Sequence, residues 1–367
     1  MITICHILTK GIDGGVEAIV MNYCRQLKDS FHFEIMIENE SKLVNKKTVS
    51  ELGGELVIIP PYKHVFEYDK LLYDYFRKHP EIDIVQANLS TMSFLALREA
   101  KRAGIKVRIA ESHSTDSKKE LARSVLKHIF RHVTDNYLTD KFACSYAAGE
   151  FQFGKKAMDK GEVFIAPNGI DLDKFRFNEE KRIEARKELG LNDNDFVIGH
   201  IGRFVPQKNH RFLIDVFKEV HKEMPNSKLV LVGDGPLVDE VKKQTNDYGL
   251  TDSVIFTGTM ADTSSIYNAF DCFAFPSIYE GLGMVAVEAQ ANGLPTIIST
   301  EVPDEAMVLN STKKLPLDIN KWVECISNSS REAENREVDA SLFSDFDIKR
   351  DAVKLGEKYK ELTKELN

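Results

Sequence analysis

A glutamate ahead of a helix, a second one inside it, and glycines between them form a pattern that can do chemistry on a charged sugar. The stretch 275–289 reads Phe-Pro-Ser-Ile-Tyr-Glu-Gly-Leu-Gly-Met-Val-Ala-Val-Glu-Ala. Gly281 and Gly283 let the backbone come close to a ligand. The start of the helix that follows carries unpaired N–H groups and a partial positive charge, which attract phosphate. Glu280 falls before that start and Glu288 just over a turn inside it. Carboxylates do not hold phosphate, but they accept hydrogen bonds from hydroxyl groups. One on each side of an anion suits a nucleotide joined to a sugar. An amphipathic helix with a glycine-rich entry and two solvated glutamates has the same spacing.

Other short motifs carry charge or glycine. Arg203 and Lys208 follow an apolar run in Gly-Arg-Phe-Val-Pro-Gln-Lys-Asn. A loop at the carboxyl end of a parallel strand is where open α/β sheets bind ligands. Two cations there can clamp a pyrophosphate, Arg by its fork and Lys as a point charge. Two solvated loop cations are the plain alternative. Val232-Gly233-Asp234-Gly235-Pro236 is a strand-to-helix turn without the last glycine of a dinucleotide fingerprint, because Val238 stands there. Gly11-Ile12-Asp13-Gly14-Gly15-Val16-Glu17 can admit a phosphate or simply turn the chain. His113 follows a run ending at Ala110, and a lone histidine is more often structural. Gly149–Lys156 mimics a phosphate loop, but Lys156 fills the magnesium-binding Ser/Thr position and aromatics fill the loop.

These motifs need elements to hold them. Short apolar runs alternate with longer helical patterns along all 367 residues. The runs are Ile2–Leu8, Phe31–Ile37, Glu55–Ile59, Ile82–Ala87, Val107–Ala110 and Phe142–Ser145, then Phe196–Ile201, Lys228–Val232, Val254–Thr257, Cys272–Pro276 and Thr296–Ser299. Repeated strand and helix predict parallel sheets with helices on both faces, hence two doubly wound α/β domains. Ala166-Pro167-Asn168-Gly169-Ile170-Asp171 is the junction, a turn-rich segment. Val353, Leu355, Tyr359 and Leu362 predict a closing amphipathic helix.

The run from Ser277 to Pro295 resembles the signature of the family 4 retaining glycosyltransferases of the GT-B fold. Ser277, Glu280, Gly281, Gly283, Glu288, Ala289, Ala291, Gly293 and Pro295 fit it, and the resemblance is strongest from Pro167 to Pro295. It implies two Rossmann-like parallel-sheet domains facing a cleft. Residues 1–166 would form the acceptor side and 167–345 the nucleotide-sugar side, with a helix in 346–367 returning to the first domain. It implies a metal-independent, hexosyltransferase-type enzyme that needs no cofactor beyond its donor, which would be UDP-linked. Arg203 and Lys208 would hold the pyrophosphate and its developing charge, assisted by backbone N–H groups around Gly283 and Met284. Glu288 would hold the ribose hydroxyls and Glu280 the donor sugar. Gly233, Thr259 and Met260 would edge the nucleotide, and Gly14 and Gly15 would face donor phosphates. His113 would line the reaction centre. Two departures concern the acceptor side. Glu111 replaces the first histidine of a His-Ser-His pattern, and Gln86-Ala87-Asn88 lacks the histidines many relatives carry there.

Composition narrows the setting. The net charge of −8 argues against general nucleic-acid binding. Five dispersed cysteines without metal-ligand spacing suggest reduced thiols in a cytoplasmic protein. No secretion signal or spanning segment is expected. Within this acidic chain, residues 98–132 hold ten Lys/Arg against four Asp/Glu, and the basic amphipathic pattern at 118–131 could lie on an anionic membrane. The expected partners are a nucleotide-sugar donor and a glycan or lipid-linked acceptor, at the inner face of a bacterial membrane, in exopolysaccharide, capsule or lipopolysaccharide synthesis. A nucleotide-sugar 2-epimerase and a non-catalytic nucleotide-sugar-binding partner are the alternatives on the same fold.

Overall fold

The computed structural model describes residues 1–8, 15–113, 133–260, 262–329 and 336–364. The chain divides into two compact units, Met1–Gly169 with Phe346–Asn367, and Ile170–Asp345.

The first unit is built on seven strands: β1 (Ile2–Ile7), β2 (Phe31–Ile37), β3 (Glu55–Ile58), β4 (Ile82–Ala87), β5 (Val107–Ser112), β6 (Asp140–Ala143) and β7 (Val163–Ile165). Their order is β3-β2-β1-β4-β5-β6-β7, and every pairing is parallel. Successive side chains alternate between two cores. Ile35 and Ile37 enter one, Met36 the other. Both faces are covered, so the strands read as almost continuous apolar runs.

The helix Ile348–Lys364 belongs to this unit. It buries Ile348, Ala352, Leu355, Tyr359 and Leu362 in the core that holds Leu27, Phe31 and Phe142. Each large apolar side chain so buried contributes about 1.5–3 kcal/mol. Val353, expected on the apolar face, is 60% exposed. The buried face runs through positions 348, 352, 355, 359 and 362 with the 3.6-residue helical period, and 353 lies off it.

The second unit has six strands: β8 (Phe196–Ile201), β9 (Ser227–Val232), β10 (Val254–Gly258), β11 (Cys272–Phe275), β12 (Thr296–Ser299) and β13 (Lys313–Leu315). The order is β10-β9-β8-β11-β12-β13, again all parallel. In both sheets the winding reverses beside the first strand, between β1 and β4 and between β8 and β11. Such a switch point parts the loops at the carboxyl edge and leaves a crevice for a ligand. No described helix is long and apolar enough to cross a membrane.

Packing around the second switch point is tight. A Cβ at Gly199 would stand 2.1 Å from the ring of the fully buried Phe270. The Gly199→Ala variant is expected to lower the unfolding free energy by about 1–3 kcal/mol or more, the usual cost of overpacking. At Gly15, by contrast, no atom lies within 4 Å of an added Cβ, and Gly15→Ala should be neutral or slightly stabilising. Urea unfolding of the two variants beside wild type checks the pair.

Candidate active site

The loop after β8 is pinned on both sides. Toward β9, Phe204 N–H donates to Asp234 O at 2.9 Å and Leu237 N–H donates to Phe204 O at 3.1 Å. Gly233 makes this approach possible: its φ is +136°, and a Cβ would fall 2.2 Å from Gly202 O. Toward β11, Ile278 N–H donates to Gln207 O at 2.8 Å, and Gln207 Nε2 donates to Tyr279 O at 2.9 Å. The two loops flanking the switch point therefore move as one piece of backbone.

Two expected site residues meet on this frame. Lys208 Nζ lies 2.6 Å from Glu280 Oε1 and 4.8 Å from the centre of the Phe275 ring. Their side chains are only 18% and 8% exposed, so the pair is shielded from water and from salt. Arg203 is exposed and has no ion-pair partner among the described residues. Beneath them lie His200 and His210, with ring centres 4.6 Å apart. Burial pushes His200 down to about 4 and His210 to about 2, helped at His210 by the neighbouring His200 and Lys208. Both rings are neutral at physiological pH, so the positive charge of this loop belongs to Lys208 and Arg203.

The helix Met284–Ala291 starts at Gly283, whose φ is +88°, and no side chain caps it. Glu288 lies half-buried in its second turn. Glu288 Oε2 accepts from Tyr267 Oη at 2.6 Å, and the same hydroxyl reaches Val285 O at 3.2 Å. Burial raises the Glu288 carboxyl to about 7, the Tyr267 hydrogen bond opposes the rise, and the charge of Asp262 adds to it. Ser277 holds its loop through its carbonyl, which accepts from Ser299 Oγ, while its own buried hydroxyl has no partner. Thr259 and Met260 follow Gly258, whose carbonyl accepts from Gly233 N–H at 3.0 Å.

In the first unit, Gly15 opens the helix Gly15–Leu27. Gly14 and the basic segment 118–131 lie outside the described residues. His113 follows β5 and bonds Asn88 through Nε2 at 3.0 Å. Three residues that sequence reasoning passed over act as anchors: Gln207, Tyr267 and Phe275. Gln207 had a signal in its place between Arg203 and Lys208. Tyr267 had none, since it reaches Glu288 from a different element.

Comparison with known proteins places this geometry in a family. Residues 181–324 match the family model described as glycosyl transferases group 1. EpsF of Bacillus subtilis (strain 168), named as a glycosyltransferase, is 31% identical over 338 residues, 89% of this chain and 87% of that protein. The UDP-Gal:alpha-D-GlcNAc-diphosphoundecaprenol alpha-1,3-galactosyltransferase of Escherichia coli is 26% identical over 332 residues, 87% of this chain and 84% of that one. Among solved structures, HepE of Anabaena in complex with UDP-glucose superposes with a TM-score of 0.80 at 20% identity, covering 98% of this chain and 100% of that chain. That likeness concerns the fold.

The raised Glu288 carboxyl has a consequence for stability. A group whose folded pKa of about 7 exceeds its unfolded value of about 4.3 stabilises the fold below the lower value. That contribution is lost as pH rises through the upper one, on the order of 3 kcal/mol in all. Glu288→Gln is therefore expected to melt near wild type at pH about 4 and clearly above it at pH about 8. Equal melting temperatures at the higher pH would show that the carboxylate is not held in a desolvated site.

Proposed function

The chain belongs to the group 1 glycosyl transferases, and we propose that it is a retaining, hexosyltransferase-type enzyme that moves a sugar from a UDP-linked donor to a glycan or lipid-linked acceptor in bacterial surface polysaccharide synthesis. The observation that carries this reading is the Lys208–Glu280 pair at 2.6 Å, set on two joined loops at the switch point, one of which also carries the exposed Arg203. A sugar transferase must neutralise a departing diphosphate and steady positive charge on the sugar. This site offers cations and a carboxylate in one place.

The geometry supports the following roles. Arg203 and Lys208 would bind the pyrophosphate, and the uncapped N–H groups at Gly283 and Met284 would add donors to the leaving oxygen. Fixed cations of this kind can do the work that a divalent ion does elsewhere. Glu280 would lie within reach of the charge that develops on the donor sugar. Glu288, once ionised, would accept from the ribose hydroxyls. Gly233, Thr259 and Met260 would wall the nucleotide. The first unit would bind the acceptor, with His113 as its polar contact. A lipid-linked acceptor like that named for the Escherichia coli relative suits a cytoplasmic protein held at the inner membrane face. The basic run 118–131 would meet anionic headgroups there.

Removing both cations should abolish donor binding. Arg203→Ala with Lys208→Ala is expected to lose UDP affinity in calorimetry and nearly all turnover with every sugar nucleotide that wild type uses. EDTA should leave wild-type rates unchanged. A double variant that still binds UDP as wild type does would remove the pyrophosphate assignment, and a strict metal requirement would remove the metal-independent one.

The two glutamates should fail in different ways. Glu280→Gln frees Lys208 from its neutralising partner, so UDP binding should stay the same or tighten. Yet kcat should fall by roughly a hundredfold or more, because a carboxylate matched to developing charge matters most in the transition state. Glu288→Gln loses hydrogen bonds to a charged group, about 1.5–3 kcal/mol, from bound donor and free UDP alike, which raises KM and Kd together. Steady-state rates and UDP titrations of both variants decide it. Weaker UDP binding in Glu280→Gln with only kcat lost in Glu288→Gln would reverse the pair.

A further inference from the structure

The carboxyl edge of the first sheet holds a second buried polar cluster. It joins His6 of β1, Gln86 of β4, Asn88 just beyond it, Glu111 of β5, His113 and Tyr359 of the C-terminal helix. His6, Gln86, Asn88 and Glu111 are each at most 4% exposed. Tyr359 Oη donates to Gln86 Oε1 at 2.6 Å, and Gln86 Nε2 donates to Glu111 Oε2 at 2.5 Å. Because a carboxylate only accepts, the Gln86 amide has one orientation.

Asn88 is oriented by the same logic. Its Nδ2 faces Gln86 O at 3.3 Å and Ile7 O at 3.5 Å. Carbonyls only accept, so Oδ1 is the atom turned to His113 Nε2, at 3.0 Å. Glu111 Oε2 stands 3.7 Å from that nitrogen as well. Two acceptors facing Nε2 place the ring proton there, and the neutral ring keeps a bare Nδ1. That Nδ1 is buried with no hydrogen-bond partner among the described residues, a costly state that calls for an explanation. His6 supplies no competing charge, since burial lowers it to about 3.

We propose that Glu111, fixed through Gln86 by Tyr359, is a positioning residue that holds His113 as the Nε2–H tautomer, so that Nδ1 accepts a hydrogen bond from a sugar hydroxyl. The hydroxyl as ligand rests on the glycosyltransferase reading above; the tautomer does not. A bare nitrogen lone pair repels phosphate oxygens and welcomes a hydroxyl donor. The two departures noted in the sequence, Glu111 and Gln86, thereby become the two halves of one hydrogen bond.

Long-range proton–nitrogen NMR on labelled protein reads the ring directly, with His113→Gln identifying the resonance among ten histidines. Wild type at mildly alkaline pH should show Nε2 protonated and Nδ1 bare. Glu111→Gln keeps a partner for Gln86 but turns an amide NH₂ toward the ring. It should mix the tautomers and lower kcat between roughly tenfold and a hundredfold, as a misplaced group does, at an unchanged melting temperature. Tyr359→Phe should move both readouts the same way by less. A wild-type proton on Nδ1 overturns the proposal, as do ring shifts unmoved by Glu111→Gln. If the tautomer is found while no UDP- or GDP-sugar is turned over, the proposed function fails and the Glu111 assignment stands.

Discussion

Everything at the second sheet's edge depends on joining the loop after β8 to the loop after β11. The strands pair side by side at Cys272 and Ile198, but their connections run to opposite sides, which parts the loops above them. Left alone, the parted loops would carry Lys208 and Glu280 as separate solvated charges. Gln207 closes the gap with two hydrogen bonds to the backbone of Ile278 and Tyr279. The ion pair then forms on a prearranged backbone, so little entropy is lost in making it. Such a pair is weak evidence for stability, since desolvation offsets attraction. What the pair does is keep an ammonium and a carboxylate together at one spot.

The surroundings keep this charge localised. His200 and His210 are buried and neutral because the interior penalises their cations, and they pack with Phe204 and Phe275 as aromatic filling. Glu288 is treated in the opposite way to Glu280. Among the described residues it has no ion-pair partner but accepts from the Tyr267 hydroxyl, and burial raises it to about 7. One carboxylate is paired with an ammonium group, while the other meets a phenol in a desolvated place. Two glutamates of identical chemistry sit in two different electrostatic settings because one faces a lysine and the other a phenol.

The charged motifs were legible because each is local. Glu280, Glu288, Arg203 and Lys208 sit in short runs whose spacing survives folding, and the long apolar runs announced the strands. What failed to show was cross-chain. Tyr267 meets Glu288 only because Ile266–Ala269 folds as a short 3-10 turn beside the helix. β13 contains two lysines and one leucine, so no apolar run marks it; it exists because β12 offers it an edge. Val353 looked like core because it is apolar, yet its position in the turn points it to solvent. Tyr359 and Gln86 are 273 positions apart, and nothing in either local sequence refers to the other.

That last contact bears on how the first unit works. The C-terminal helix gives its apolar side to the core, yet one of its residues spends a hydroxyl on Gln86 of the central strand β4. A phenylalanine at 359 would fill the same space and leave Gln86 Oε1 buried without a donor. A buried carboxylate such as Glu111 is tolerated only where its hydrogen bonds are met, and Gln86 can donate in one direction only if something satisfies its oxygen from the other. The helix therefore does more than cover the sheet. It completes the chain of donors that allows a carboxylate to exist 3.7 Å from His113, and the packing of the last helical segment thereby reaches the polar edge where a substrate would be met.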